Sequence, residues 1–164
     1  MPQKIIDNFL KKEENSFIEE KLMDRNFPWF FQKSILDHPL EDKKNFHFGH
    51  CFYNQIDGGM VNSDYMYLIK PFIKKLNIKS LVRAKANLKT SEDKHTKGVP
   101  HTDQKFKCKT AIYYVNSNNG YTMIENQKVE SVRNRIVIFN TDEMHYGVNC
   151  TDEQTRLLIN FNYF

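Results

Sequence analysis

Residues Val99–Asn116, VPHTDQKFKCKTAIYYVN, join two different kinds of sequence. The second half, FKCKTAIYYVN, is a short run rich in β-branched and aromatic residues and reads as a strand. The first half places His101 and Asp103 one residue apart. Positions i and i+2 point to the same face of an extended chain, so both side chains can address one ion. Taken by itself the pair is an ordinary polar loop. As a metal site it needs a third ligand from elsewhere, and imidazole with carboxylate suits iron, manganese or zinc more than calcium.

Similar strand-like runs surround this stretch. From Ile78 onward they are SLVRAKANLKT, FKCKTAIYYVN, GYTMIE, NRIVIFN and TRLLINFNYF. Turn residues separate them, as in Asn118-Asn119-Gly120 and Asn140-Thr141-Asp142. The loop TSEDKHTKGV (Thr90–Val99) precedes His101. Short strands at this spacing predict an antiparallel sandwich or barrel with helices packed outside it.

The first half of the chain carries those helices. Phe17, Ile18 and Leu22 recur at helical spacing from about Glu13 to Met23, and Pro28 with its aromatic neighbours in NFPWFFQ predicts an extended segment. Tyr65, Leu68, Ile69, Phe72, Ile73 and Leu76 form a longer amphipathic stripe, with Pro71 kinking it or opening its second half. The fold class expected is mainly β (α+β). Residues 1–164 would form one domain, with 1–77 supporting a β core over 78–164.

Composition narrows the function classes. Hydrophobic residues make up 40% and aromatics 13%, with thirteen Phe and eight Tyr, which indicates a globular chain with an aromatic core. The net charge of +4 is scattered, so it carries no strong nucleic-acid signal. Cys51, Cys108 and Cys150 are an odd set without a CxxC pair, which argues against a disulfide framework or zinc ribbon and for buried thiols in a reducing compartment. The opening MPQKIIDNFLKKEEN is too charged for a signal peptide, and no apolar run approaches a membrane span. A cytoplasmic location is expected.

The third ligand has five other histidines to come from: His38, His47, His50, His95 and His145. His145 stands out by context, because it follows the strand RIVIFN and the turn TDEM and precedes a last strand headed by Arg156. Two His and one carboxylate on one face form the facial triad of non-haem Fe(II) oxygenases, which leaves coordination positions open. Arg156 would offer a fixed fork to the distal carboxylate of an acid bound beside the metal. His47 and His50 in FHFGHC face opposite sides of a strand, so they make no ligand pair and are expected to be structural. His95 is expected to be exposed, and Trp29 to lie in the core.

The ordered series HTD, TAIYYVN, GYT, NRIVIFN, MHYGV and TRLLINF resembles the 2-oxoglutarate/Fe(II)-dependent dioxygenases, a double-stranded β-helix (jelly-roll) superfamily. It looks closest to the prolyl 4-hydroxylase-like branch, including small phage-type members. The motifs span about half the chain, from about Leu81 to Phe164, and FLKKEENSFI with FPWFF looks like the family's N-terminal helix and following strand. The family often has Gly-Gly-x-Thr where this chain has Gly120-Tyr121-Thr122.

The resemblance implies that His101, Asp103 and His145 hold Fe(II), and that Arg156 pairs with the C5 carboxylate of 2-oxoglutarate. Tyr114 matches a position whose hydroxyl donates to that carboxylate. Thr110, Thr122 and Asn87 would line the co-substrate or substrate pocket. With O2 the implied reaction hydroxylates an unactivated C–H bond and releases succinate and CO2, with ascorbate as reductant. The implied substrate is a peptidyl residue such as proline, in the host cytoplasm if the gene is phage-borne. A nucleobase or small-molecule oxygenase and a non-catalytic jelly-roll binding module are the alternatives.

Overall fold

The computed structural model describes residues 3–33, 45–55 and 61–164. Its strands in chain order are β1 (Lys4–Ile6), β2 (Phe30–Gln32), β3 (His47–Asn54), β4 (Val61–Asn62), β5 (Leu81–Thr90), β6 (Lys109–Tyr114), β7 (Tyr121–Ile124), β8 (Gln127–Glu130), β9 (Arg135–Asn140), β10 (His145–Val148) and β11 (Thr155–Tyr163). The helices are α1 (Lys12–Leu22) and α2 (Lys70–Lys75). A large sheet runs β1-β9-β6-β11-β5-β3-β2 with β4 on β3, and a small one runs β10-β7-β8; every pairing is antiparallel.

The large sheet is covered on both faces, and β11 shows the division residue by residue. Leu157, Ile159 and Phe161 join the core cluster that holds Ile18 and Leu22 of α1 and Phe72 of α2. Leu158, on the other face, joins Ile124 of β7 and Val129 of β8. A strand sandwiched this way reads as a nearly unbroken apolar run, as TRLLINF does. Phe72 meets Tyr113 edge-on at 4.7 Å and Phe161 at 4.9 Å, and the small Ala84, Ala86 and Ala111 belong to the same cluster. Interdigitated large and small residues are how such a layer fills without voids.

Both helices differ in detail from their sequence pattern. On α1 the buried positions are Asn15, Ile18 and Leu22, whereas Phe17 is 45% exposed. Asn15 goes inside because its amide donates to the buried Tyr113 hydroxyl at 2.7 Å. The stripe from Tyr65 to Leu76 is no single kinked helix. Met66–Ile69 form a 3-10 turn, and Pro71 lies in the first turn of α2, where its missing N–H costs nothing. Asn77 (φ 53°) then closes α2, with Ile78 N–H donating to Ile73 at 3.1 Å in a Schellman-type cap. Cys108 and Cys150 are buried thiols, whereas Cys51 is only partly buried. Trp29 is likewise partly buried, packed against the core with its indole N–H donating to the Leu22 carbonyl. No described helix is long and apolar enough to cross a membrane.

Candidate metal centre

Strand register builds the floor of the site in rows. Asn162 of β11 lies between Thr110 of β6 and Arg83 of β5, Asn160 between Ile112 and Lys85, Leu158 between Tyr114 and Asn87, and Arg156 opposite Lys89. Period-two alternation sends all of these to the face turned toward the small sheet. Between the sheets a cavity of about 200 Å³ opens, lined at one end by His101, Asp103 and His145 and at the other by Thr122 and Arg156.

The two histidines are coupled through backbone. Each donates its N–H to the other's carbonyl at 2.9 Å, and their rings stand 4.5 Å apart. The His101 Nδ1 lies 3.0 Å from the Val99 carbonyl and the His145 Nδ1 3.1 Å from that of Glu143. A carbonyl can only accept, so each ring carries its proton on Nδ1 and leaves the Nε2 lone pair for an ion. Burial holds the His145 pKa below its ordinary value against the pull of Asp103. The deprotonated imidazole is the ligating form.

Asp103 is fixed from behind. Its side chain is 3% exposed. Oδ1 accepts from Arg83 at 3.2 Å, and Oδ2 accepts from Thr110 at 3.0 Å, Asn162 at 2.9 Å and Asn160 at 3.3 Å. Burial opposes ionisation, but His145, Arg83, the Asn162 hydrogen bond and His101 outweigh it and hold the carboxyl below its usual range. One candidate ligand atom each from His101, Asp103 and His145 lies within 4.8 Å of the others, and His145 Nε2 is 3.8 Å from Asp103 Oδ1.

Arg156 is 7% exposed and has no acidic partner among the described residues. Its Nη2 donates to Thr122 Oγ1 at 2.8 Å and its Nε to Ser131 Oγ at 3.1 Å, and the guanidinium carbon sits 5.7 Å from the Tyr114 ring centre. Two glycines make the room. A Cβ at Gly120 would fall 2.7 Å from Arg156 Cδ and 2.9 Å from the Val148 carbonyl, and one at Gly147 would fall 3.3 Å from Arg156 Nη1. A buried guanidinium with only neutral partners is a receptor for an anion.

The sequence-derived residues fall in two groups. His101, Asp103, His145, Arg156, Thr122 and Asn87 all line the cavity. Thr110 and Tyr114 lie one hydrogen bond behind it, Thr110 donating to Asp103 and Tyr114 donating to Thr122 at 2.8 Å. His50 is structural, held by the Pro28 carbonyl and Ser63. His95 is exposed, its ring nitrogen 2.9 Å from the Asn149 carbonyl, and the Thr90–Val99 loop is stitched to β10 by Gly98 N–H to Gly147 at 2.9 Å. His38 lies outside the described residues. His47, expected to be structural, lines the cavity. Sequence reasoning missed Asn160 and Asn162, whose alternation with Ile159, Phe161 and Tyr163 on β11 was the available signal.

No protein-family model matches the chain, and no curated protein matches it. Solved structures do. A prolyl hydroxylase from Trichoplax adhaerens, in complex with a hypoxia inducible factor oxygen degradation domain peptide fragment, matches with TM-score 0.67 and 14% identity over 99% of this chain and 83% of that one. An oxidoreductase of the 2OG-Fe(II) oxygenase family from Burkholderia pseudomallei gives 0.66 and 9% over 98% and 84%. The non-heme alpha ketoglutarate dependent epimerase SnoN from nogalamycin biosynthesis gives 0.64 and 12% over 99% and 77%. The fold is therefore that of the 2OG-Fe(II) oxygenases, a mainly β jelly-roll with helices on its outer face, and the likeness runs over nearly the whole chain.

Proposed function

We propose that the protein is an Fe(II)- and 2-oxoglutarate-dependent oxygenase that hydroxylates an unactivated C–H bond. The observation that carries this reading is one cavity with a His-Asp-His group at one end and, at the other, a buried Arg156 that has no acidic partner among the described residues. The donor set fits the metal: two neutral imidazole nitrogens and an anionic carboxylate suit Fe(II) and leave open positions. Arg156 fits the co-substrate, because a dicarboxylate spanning the cavity supplies the anion that the guanidinium lacks. The reading takes residues 1–164 as one oxygenase domain.

When bound, Fe(II) with 2-oxoglutarate and O2 supplies the oxidising chemistry, yielding succinate and CO2 as the C–H bond is hydroxylated. The chain orients and protects. His101, Asp103 and His145 hold the metal on one face, while Arg83, Thr110, Asn160 and Asn162 keep the carboxylate charged and aimed. Arg156 and Thr122 receive the distal carboxylate of the co-substrate, with Tyr114 anchoring Thr122. Ile112 and Leu158 give the cavity apolar walls that limit water. Ascorbate would serve as the reductant that keeps the iron ferrous.

The substrate proposed is a peptidyl residue such as proline, by likeness to the prolyl hydroxylase that holds a peptide. The test is O2-dependent succinate formation from 2-oxoglutarate by the wild type and by His145→Ala, with folding checked by circular dichroism. Turnover in the wild type and its loss in the folded variant support the reading. An active His145→Ala protein contradicts the assigned site.

A further inference from the structure

Lys85 occupies the middle of the cavity floor and has no acidic partner among the described residues. Each of the other cavity cations has, or on the proposed function would have, an anion. Arg83 pairs with Asp103 at 3.2 Å and Lys89 with Glu92 at 3.5 Å, and Arg156 receives the co-substrate carboxylate. Its hydrogen-bond partner among the described residues is a histidine, the Nζ lying 3.1 Å from His47 Nε2. An ammonium has only donors, so this contact makes His47 Nε2 the acceptor and leaves the proton on Nδ1. His47 is 5% exposed and lines the cavity, yet among the described residues its Nδ1 has no hydrogen-bond partner. A half-buried cation and a buried donor without a described partner therefore border the same space.

The backbone makes room for this arrangement. A Cβ at Gly49 would fall 2.6 Å from Lys85 Cε and 3.2 Å from Nζ, so the lysine stem lies against β3 where a glycine leaves the surface open. Cavity charge points the same way. The lining holds four cations, Arg83, Lys85, Lys89 and Arg156, against the one carboxylate of Asp103. Glu92 reaches Lys89 from outside the lining, and a divalent metal and a doubly charged co-substrate cancel each other in total, so the loaded site still carries more cations than carboxylates. Leaving a buried charge unpaired is costly, and a bound anion removes the cost.

We infer that Lys85, with His47 beside it, forms a carboxylate-binding subsite, and that the substrate presents an acidic group to it. This rests on the proposed oxygenase reading and narrows its peptidyl substrate to one with an acidic side chain or a free carboxyl end at the reacting residue. Burial pushes the Lys85 ammonium below its ordinary pKa, with Arg83 adding to the shift, as expected of a cation that lacks its counter-ion.

The test is calorimetric binding of acetylated tripeptides to the metal-free protein, so that it reads independently of turnover. One pair is acetyl-Gly-Asp-Gly-amide against acetyl-Gly-Asn-Gly-amide. The other is acetyl-Gly-Pro-Gly with a free carboxyl end against its amide, which separates the two sources of carboxylate. The wild type should prefer the acid in at least one pair by about tenfold or more. Lys85→Met should erase that preference and Lys85→Arg should retain most of it. Gly49→Ala, which crowds the lysine stem without removing its charge, should weaken it. Equal binding of acid and neutral twin in both pairs overturns the inference. So does a preference that survives Lys85→Met and disappears in Arg156→Met, which places the carboxylate in the co-substrate pocket. Failure of the oxygenase reading shows instead as absent succinate formation by the iron-loaded protein.

Discussion

His101 and His145 come from distant parts of the chain, yet each donates its backbone N–H to the other's carbonyl at 2.9 Å, as two residues of an antiparallel pair do. The bridge lies outside the named strands on the His101 side, because HTD sits in a loop and β10 begins at His145. The two rings are thus set by backbone bonds as well as by their own Nδ1 contacts. Their spacing is a property of the fold before any ion arrives.

The carboxylate depends on its supporters. Asn162 is fully buried and bonds both Asp103 and Thr110. Asn162→Leu should weaken Fe(II) affinity about 10- to 100-fold by anaerobic titration while the protein still folds. Unchanged affinity would mean that Arg83, Thr110 and Asn160 hold Asp103 without it.

Arg156 should tolerate no lysine. Arg156→Lys keeps the charge but loses the fork that reaches Thr122 and Ser131 together, so 2-oxoglutarate binding should weaken by about tenfold or more. Gly120→Ala should lower both stability and co-substrate affinity, because the new methyl meets backbone as well as Arg156. The stability loss should be about 1–3 kcal/mol by urea denaturation.

Stability should fall between pH 7 and pH 5. Burial first, then the charges of Lys85 and Lys89, pull the His47 pKa from 6.5 to about 3. In that window the unfolded chain binds a proton that the folded chain refuses, so stability rises with pH and is lost as the medium acidifies. His47 alone accounts for about 2 kcal/mol by pH 5. His50 adds in the same direction, its pKa lowered by burial despite its bond to Pro28. Urea denaturation of His47→Gln should show a shallower pH slope than the wild type.

A separate prediction concerns the scaffold. The Tyr113 hydroxyl accepts from Asn15 at 2.7 Å and donates to Asn134 at 3.0 Å, and Asn134 in turn holds Leu10 through both backbone groups. Tyr113→Phe strands the buried Asn15 amide and removes one of the bonds to Asn134, and should cost about 1–3 kcal/mol in denaturant. Fe(II) affinity should not change, because this network lies on the helix side of the large sheet.

The β architecture was legible where strands carry apolar runs, as in RIVIFN and TRLLINF. It was illegible in β8, where QKVE buries only Val129, and in β10, which is a strand because β7 pairs with it. The buried face of α1 was harder to read than its extent, because the polar Asn15 goes inside while Phe17 stays exposed. At the site, ligand types and order are chemical and local, so His101, Asp103, His145 and Arg156 could be singled out from sequence. The Thr110–Asn162–Arg83 row, the glycine cradle of Arg156 and the turning of His47 into the cavity depend on register between distant strands. No spacing along the chain encodes these.

The most direct test of the assigned centre is anaerobic titration of the protein with Fe(II) and then 2-oxoglutarate, followed by visible absorption. The expected result is a metal-to-ligand charge-transfer band that appears only when both are present, and that is absent in His145→Ala and weakened in Arg156→Lys. Folded protein that binds iron and gives no band with 2-oxoglutarate would contradict the assignment.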